Sequence, residues 1–120
     1  MSDWDYFPEI ITRIDPNPDL EYQLGTIVHA NFHFGGHYAI VYTRSSDDFV
    51  DLLVVSSREY LEGRDDCVEV TPSDEVPFKR VSFIKCDEIH RVSIEDLETV
   101  YSGLLPQNYV LEIEALLERG

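Results

Sequence analysis

Positive charge is scarce in this chain: nine Lys and Arg stand against 24 Asp and Glu in 120 residues, a formal net charge of −15. Acidity on this scale opposes non-specific binding to nucleic acid, whose affinity comes largely from Lys and Arg on phosphates. Cysteine is nearly absent. Cys67 and Cys86 are the only two and lack a Cys-x-x-Cys spacing, which excludes a disulfide framework and fits reduced thiols, a single bridge between them being the alternative. No apolar run approaches the ~20 residues of a membrane-crossing helix. Repeats, low-complexity tracts and internal linkers are missing too, so the length fits one domain. The start, Met1-Ser2-Asp3-Trp4-Asp5, is acidic where a signal peptide is basic, which predicts a cytoplasmic protein.

The acid is also unevenly spread. Tyr22 to Ser46 contains no Asp or Glu, and neither does Val76 to Cys86, which carries Lys79, Arg80 and Lys85 with Arg91 just beyond. Strand interiors disfavour Asp and Glu, so strand propensity by itself is one reading of these gaps. The other is a surface kept free of anions for a negatively charged partner.

What is present reads as a globular, mainly β chain, 43% hydrophobic and 12% aromatic. Residues 1–23 read as an N-terminal extension in which Trp4, Tyr6 and Phe7 pack on the domain. Glu9 to Ile14 form a helical turn, and Pro16 and Pro18 break regular structure. From Gly25 to Phe34 the chain alternates, with Val28, Ala30, Phe32 and Phe34 on one parity and Ile27, His29, Asn31 and His33 on the other. Gly35-Gly36 predicts the turn to a hairpin partner over 37–43. Phe49 to Ser56 is a β-branched run suited to a buried strand, residues 58–66 read as a charged loop, and 67–70 and 79–86 as further strands. Ser93 with Asp96 three residues on resembles a capping box, so Leu97, Val100 and Tyr101 predict a short helix ended by Gly103. Pro106, Val110, Ile113 and Leu117 predict a last helix. About five short strands followed by C-terminal helices predict an α+β domain over 24–120, a small SH3-like barrel or open β-roll.

This order of elements resembles the PemK/MazF family of toxin ribonucleases. Gly25-Thr-Ile-Val-His-Ala-Asn-Phe32 is similar to the family's Gly-Asp-Ile-Val-type opening strand. His37-Tyr-Ala-Ile-Val41 lies where the family has Arg-Pro-Ala-Val-Val. Ser82 to Ser93 is similar to its later Val-Arg-Cys-Asp strand and turn. The resemblance implies a metal-independent endoribonuclease that cuts single-stranded RNA by attack of the 2′-hydroxyl, works without a cofactor, and acts as a homodimer with an antitoxin partner. It implies catalytic roles for His37, Lys85 and Asp87 and a phosphate-binding role for Ser56 or Ser57; Lys79, Arg80 and Arg91, the cations around that pair, are the further RNA-binding candidates. The chain departs from the family at His37-Tyr38, where the arginine-proline pair is absent. An imidazole serves as acid or base near neutrality but does not reproduce the fixed, forked cation of a guanidinium.

Each of these residues has a plainer reading. Lys85 and Asp87 flank Cys86, so on a strand they would form a surface ion pair worth little. Ser56-Ser57 is also an ordinary strand-end turn, and His37 a hairpin-edge residue. His29, His33 and His37 recur every four residues, but on strands this is no zinc spacing, and solvated histidines with no metal are expected. The competing function is a non-catalytic acidic binding module, an immunity or antitoxin-like inhibitor or nucleic-acid mimic. It would cover a basic protein partner with the carboxylates of Asp47–Asp51 and Glu59–Asp66. A third reading takes the acidity as adaptation to a saline cytosol.

Overall fold

The computed structural model describes residues 12–119. In chain order they form β1 (Arg13–Ile14), β2 (Thr26–Phe32), β3 (Gly35–Arg44), β4 (Phe49–Ser56), β5 (Cys67–Val70), β6 (Ser82–Lys85), β7 (His90–Ser93), β8 (Leu97–Leu104) and α1 (Gln107–Arg119). All pairings are antiparallel, in the order β1-β8-β2-β3-β4-β6-β5, and the path does not close into a barrel. β4 is the pivot. One edge pairs with β3, while the other pairs first with β7, through Phe49 to Leu52, and then with β6, through Val55 and Ser56. Leu53 and Val54 fall between these two partners, and the sheet splays open there.

Neighbouring residues on the central strands enter different cores, because strand side chains alternate in direction. Ile27, Ile40, Leu53, Val55 and Tyr101 join Val110 and Ile113 of α1 in one cluster. Val28, Val41, Leu52 and Val100 join Val92, Ile94, Leu97 and Tyr22 in the other. Burial on both faces explains why these strands read as nearly continuous apolar runs. Gly25, at φ +97°, starts β2 directly under α1, and a Cβ there would meet Val110 Cγ2 at 3.2 Å.

Several expectations need correction. The helix expected over residues 93–103 is one 3-10 turn, Ile94–Asp96, followed by strand β8. Ser93 does cap that turn, its Oγ accepting from the Glu95 N–H at 3.3 Å. Beyond it, Thr99, Val100 and Tyr101 follow strand propensity, and Val100 and Tyr101 enter opposite cores, which a helical face would not allow. The C-terminal helices are therefore one helix, α1. The hairpin turn is made by His33-Phe34 rather than Gly35-Gly36, since Phe32 pairs with Gly35 and the glycines open β3. The strand expected over 79–86 is the shorter β6, Ser82–Lys85. Arg13–Ile14 form a strand on the edge of β8 instead of a helical turn, and Tyr22 is buried in the second core. Trp4, Tyr6, Phe7 and Glu9 to Ile11 lie outside the described residues.

Candidate functional site

Two cavities meet at the C-terminal end of β4. The first, of about 490 Å3, is lined by the β2–β3 hairpin (His29, Gly36, His37, Tyr38), the end of β4 and its exit (Val55, Ser56, Ser57, Arg58) and the approach to β6 (Pro77, Phe78, Lys79, Arg80, Ser82). No Asp or Glu lines it. The second, of about 370 Å3, opens where β4 changes partners and includes His33, Phe34, His37, Val54, Ser56, Arg58, Lys85, Glu88 and His90. His37, Ser56 and Arg58 line both and form the ridge between them. All four histidines of the chain border this composite groove.

Four of the cations without a carboxylate partner line the groove. Elsewhere, Arg44 donates to the carbonyls of Pro18, Leu20, Ser46 and Asp47. Arg64 holds Asp66 through two bonds of 2.9 and 2.6 Å, and Arg91 donates to Asp51 at 3.0 Å. Among the described residues Arg58, Lys79, Arg80 and Lys85 enter no ion pair. Four cations and one carboxylate, Glu88, line the composite groove, a local balance opposite in sign to that of the whole chain.

Local structure sets each group. Ser56 Oγ accepts the Arg58 N–H at 3.3 Å, tying the start of the 58–61 turn to the end of β4. His29 stands edge-on to Tyr38, ring centroids 5.3 Å apart, with Nδ1 3.3 Å from Glu98 Oε1 on β8. A carboxylate at that nitrogen orients an imidazole, leaving the other nitrogen toward the cavity. Behind it, burial first and then a hydrogen bond with Tyr38 push the Tyr101 hydroxyl up to about 12. Neither thiol offers a nucleophile: burial pushes Cys86 up to about 12 and raises Cys67 as well. No three His, Cys, Asp or Glu among the described residues gather to hold a metal ion.

The structure brings His37, Ser56, Ser57, Lys79, Arg80 and Lys85 to the groove. It does not bring Asp87 or Arg91. β6 ends at Lys85, so Asp87 falls in an exposed bend that lines neither cavity and makes no ion pair with Lys85. Arg91 faces Asp51 across the β4–β7 register and is engaged there.

No family model and no curated protein matches the sequence. Solved structures match the fold. The Mycobacterium tuberculosis toxin MazF-mt6 is similar at a TM-score of 0.65 and 15% identity, with 78% of this chain and 93% of that one covered. An endoribonuclease in complex with its cognate antitoxin from Mycobacterial species is similar at a TM-score of 0.65 and 14% identity, covering 80% and 90%. The fold is MazF-like.

On this MazF-like frame, sequence reasoning missed three contributors to the groove. Arg58 was hidden in a charged segment read as a loop. It stands two residues beyond Ser56 and puts a guanidinium on the same ridge as His37. His29 was read as a solvated strand histidine, because Glu98 is remote in sequence. His90 heads a strand that was not foreseen. The one available signal was the pair of acid-free stretches, which supply most of the first cavity's wall.

Proposed function

We propose that this protein is a metal-independent endoribonuclease acting on single-stranded RNA, with the ridge of His37, Ser56 and Arg58 as its reaction centre. The observation that carries this reading is the convergence of four unpaired cations on imidazoles and a strand-end serine, in a groove almost free of carboxylates. The MazF-like fold supports the same class.

Phosphates of the strand lie along Lys79, Arg80 and Arg58. His37 removes the proton from a 2′-hydroxyl, whose oxygen attacks the adjacent phosphorus. Arg58 donates to the non-bridging oxygens as charge builds on them, replacing the guanidinium that His37 cannot supply. The bond from phosphorus to the 5′-oxygen breaks, and His90, backed by the Lys85 ammonium, protonates the leaving oxygen. The products are a 2′,3′-cyclic phosphate and a 5′-hydroxyl. The protein works in the cytoplasm as a homodimer and is held by an antitoxin; for the antitoxin partner, the support is the similar mycobacterial endoribonuclease described with its cognate antitoxin.

Incubating the protein with end-labelled single-stranded RNA in EDTA tests this directly. Cleavage with cyclic-phosphate ends is expected, with a loss of roughly 100-fold or more in His37→Ala. Intact RNA with the wild-type protein overturns the proposal. The acidic-module reading rests on a different surface: Glu59, Glu62 and Glu69 line one depression of about 330 Å3 together with Arg80. It requires salt-sensitive binding of a basic protein there, abolished by charge reversal of those three residues.

A further inference from the structure

The β2–β3 turn carries an unusual tip. Two-residue hairpin turns favour Asn-Gly or Gly-containing pairs, because the common types need positive φ at one or both central residues. Here the two tip residues are His33 and Phe34, neither at positive φ, and Gly35 just after them takes φ +123°. A large aromatic ring at a solvated tip gains little for folding, and such local conflicts concentrate at functional sites.

The ring is held in a defined pose. Phe34 stacks on Phe32 with centroids 5.0 Å apart and planes 10° from parallel. His33, His37 and His90 surround it at 4.9, 5.3 and 5.6 Å. Even so, Phe34 is 46% exposed and lines the second cavity beside Arg58 and Lys85. We infer that Phe34 is a stacking platform for one nucleobase of a single-stranded nucleic acid whose backbone is held by those two cations.

This inference rests on the nucleic-acid reading of the groove and adds a base subsite to it. The lining selects the occupant. A protein side chain or helix would need a wider apolar surround, and the cavity this ring lines is largely polar, with imidazoles, Arg58, Lys85 and Glu88 beside Val54 and Tyr60. A base needs a flat ring to stack on and cations for its flanking phosphates, and stacking accepts every base because each has a π face.

The probe is a labelled, short single-stranded 2′-O-methyl RNA of mixed sequence, which has no attackable 2′-hydroxyl, beside the same backbone made abasic throughout. The wild-type protein should bind the base-bearing strand more tightly. Phe34→Ala should weaken that binding roughly tenfold and leave abasic binding unchanged, while Phe34→Trp should retain it. Equal binding of the base-bearing strand by Phe34→Ala and wild type overturns the subsite, as does an equal loss on the abasic strand or no binding at all. Cleavage is not read, so a protein that binds but never cuts would sink the ribonuclease proposal and leave the subsite standing.

Discussion

Two neighbouring depressions share Ser57 and Arg80 yet have opposite electrostatic character. On one side lies the large cavity with Arg58 and Lys79 and no carboxylate; on the other, Glu59, Glu62 and Glu69 face solvent together. Net charge averages over such a boundary, whereas a bound ligand is acted on mainly by the charges within about 8 Å of it, the Debye length at physiological salt. A chain of −15 can therefore hold a phosphate-binding surface, provided its few cations are not consumed by its many acids. The same contrast separates two arginines close in sequence: Arg64 is clamped by Asp66, and Arg58 enters no ion pair.

Removing each arginine in turn separates the two sides most strongly. Arg58→Ala should lower RNA cleavage by roughly 100-fold or more, the scale of losing one preorganised donor to a developing oxyanion. Arg64→Ala should leave the rate within error. Arg58→Lys separates charge from fork, and it should recover only part of the rate because an ammonium lacks bidentate geometry. Equal effects of Arg58→Ala and Arg64→Ala would mean that freedom from a carboxylate partner carries no functional weight.

A smaller effect is expected along the phosphate track. Lys79→Ala with Arg80→Ala should weaken binding of uncleavable single-stranded RNA. It should also flatten the dependence of log affinity on log salt by about 0.7 for each lost contact. If the slope is unmoved, phosphates do not lie there. Neutralising the other side of the boundary should act in reverse: Glu59→Gln, Glu62→Gln and Glu69→Gln together should raise RNA affinity a few-fold at low salt. That gain should vanish near 1 M salt, where the Debye length falls to about 3 Å. A basic protein partner lost in this triple variant would instead favour the acidic-module reading.

The parts of this arrangement legible in the sequence were those governed by local periodicity. Val28 to Phe32 and Phe49 to Ser56 announced strands, and Pro106 with Val110 and Ile113 announced α1. β8 was misread because Leu97, Val100 and Tyr101 have helical spacing, and only the two-sided burial of Val100 and Tyr101 shows the true period. The groove was half legible. Missing acids over 22–46 and 76–86 marked its walls, since a shortage along the chain survives folding as a shortage on a surface. Arg58 was illegible because its importance arises from where β4 ends. Asp87 was not placed by local pattern, because β6 stops at Lys85 and the exposed bend beyond it sets where Asp87 lies. Glu98 beside His29 depends on the pairing of β2 with β8, which no local pattern encodes.

The smallest expected effect belongs to the clamped arginine, and it checks the clamp itself. Asp66 is held below the usual carboxylate range, chiefly by its hydrogen bonds from Arg64 and then by the charge of that guanidinium, with burial opposing. A carboxyl depressed in the folded state adds stability above its unfolded pKa of about 3.9 and loses it as pH falls through the lower folded value. Arg64→Ala should therefore bring the Asp66 titration back up toward 3.9, read by NMR of the side-chain carboxyl. The folded protein should also become slightly less stable at neutral pH but no less stable in strong acid, where Asp66 is protonated in either variant. Both partners are solvent-exposed, so screening keeps the change near the limit of a denaturation measurement, and the titration is the more decisive readout. An Asp66 titration unmoved by Arg64→Ala would mean that the clamp does not form in solution. Arg64 would then be as free as Arg58, and position in the groove alone would have to account for any difference in what the two arginines do.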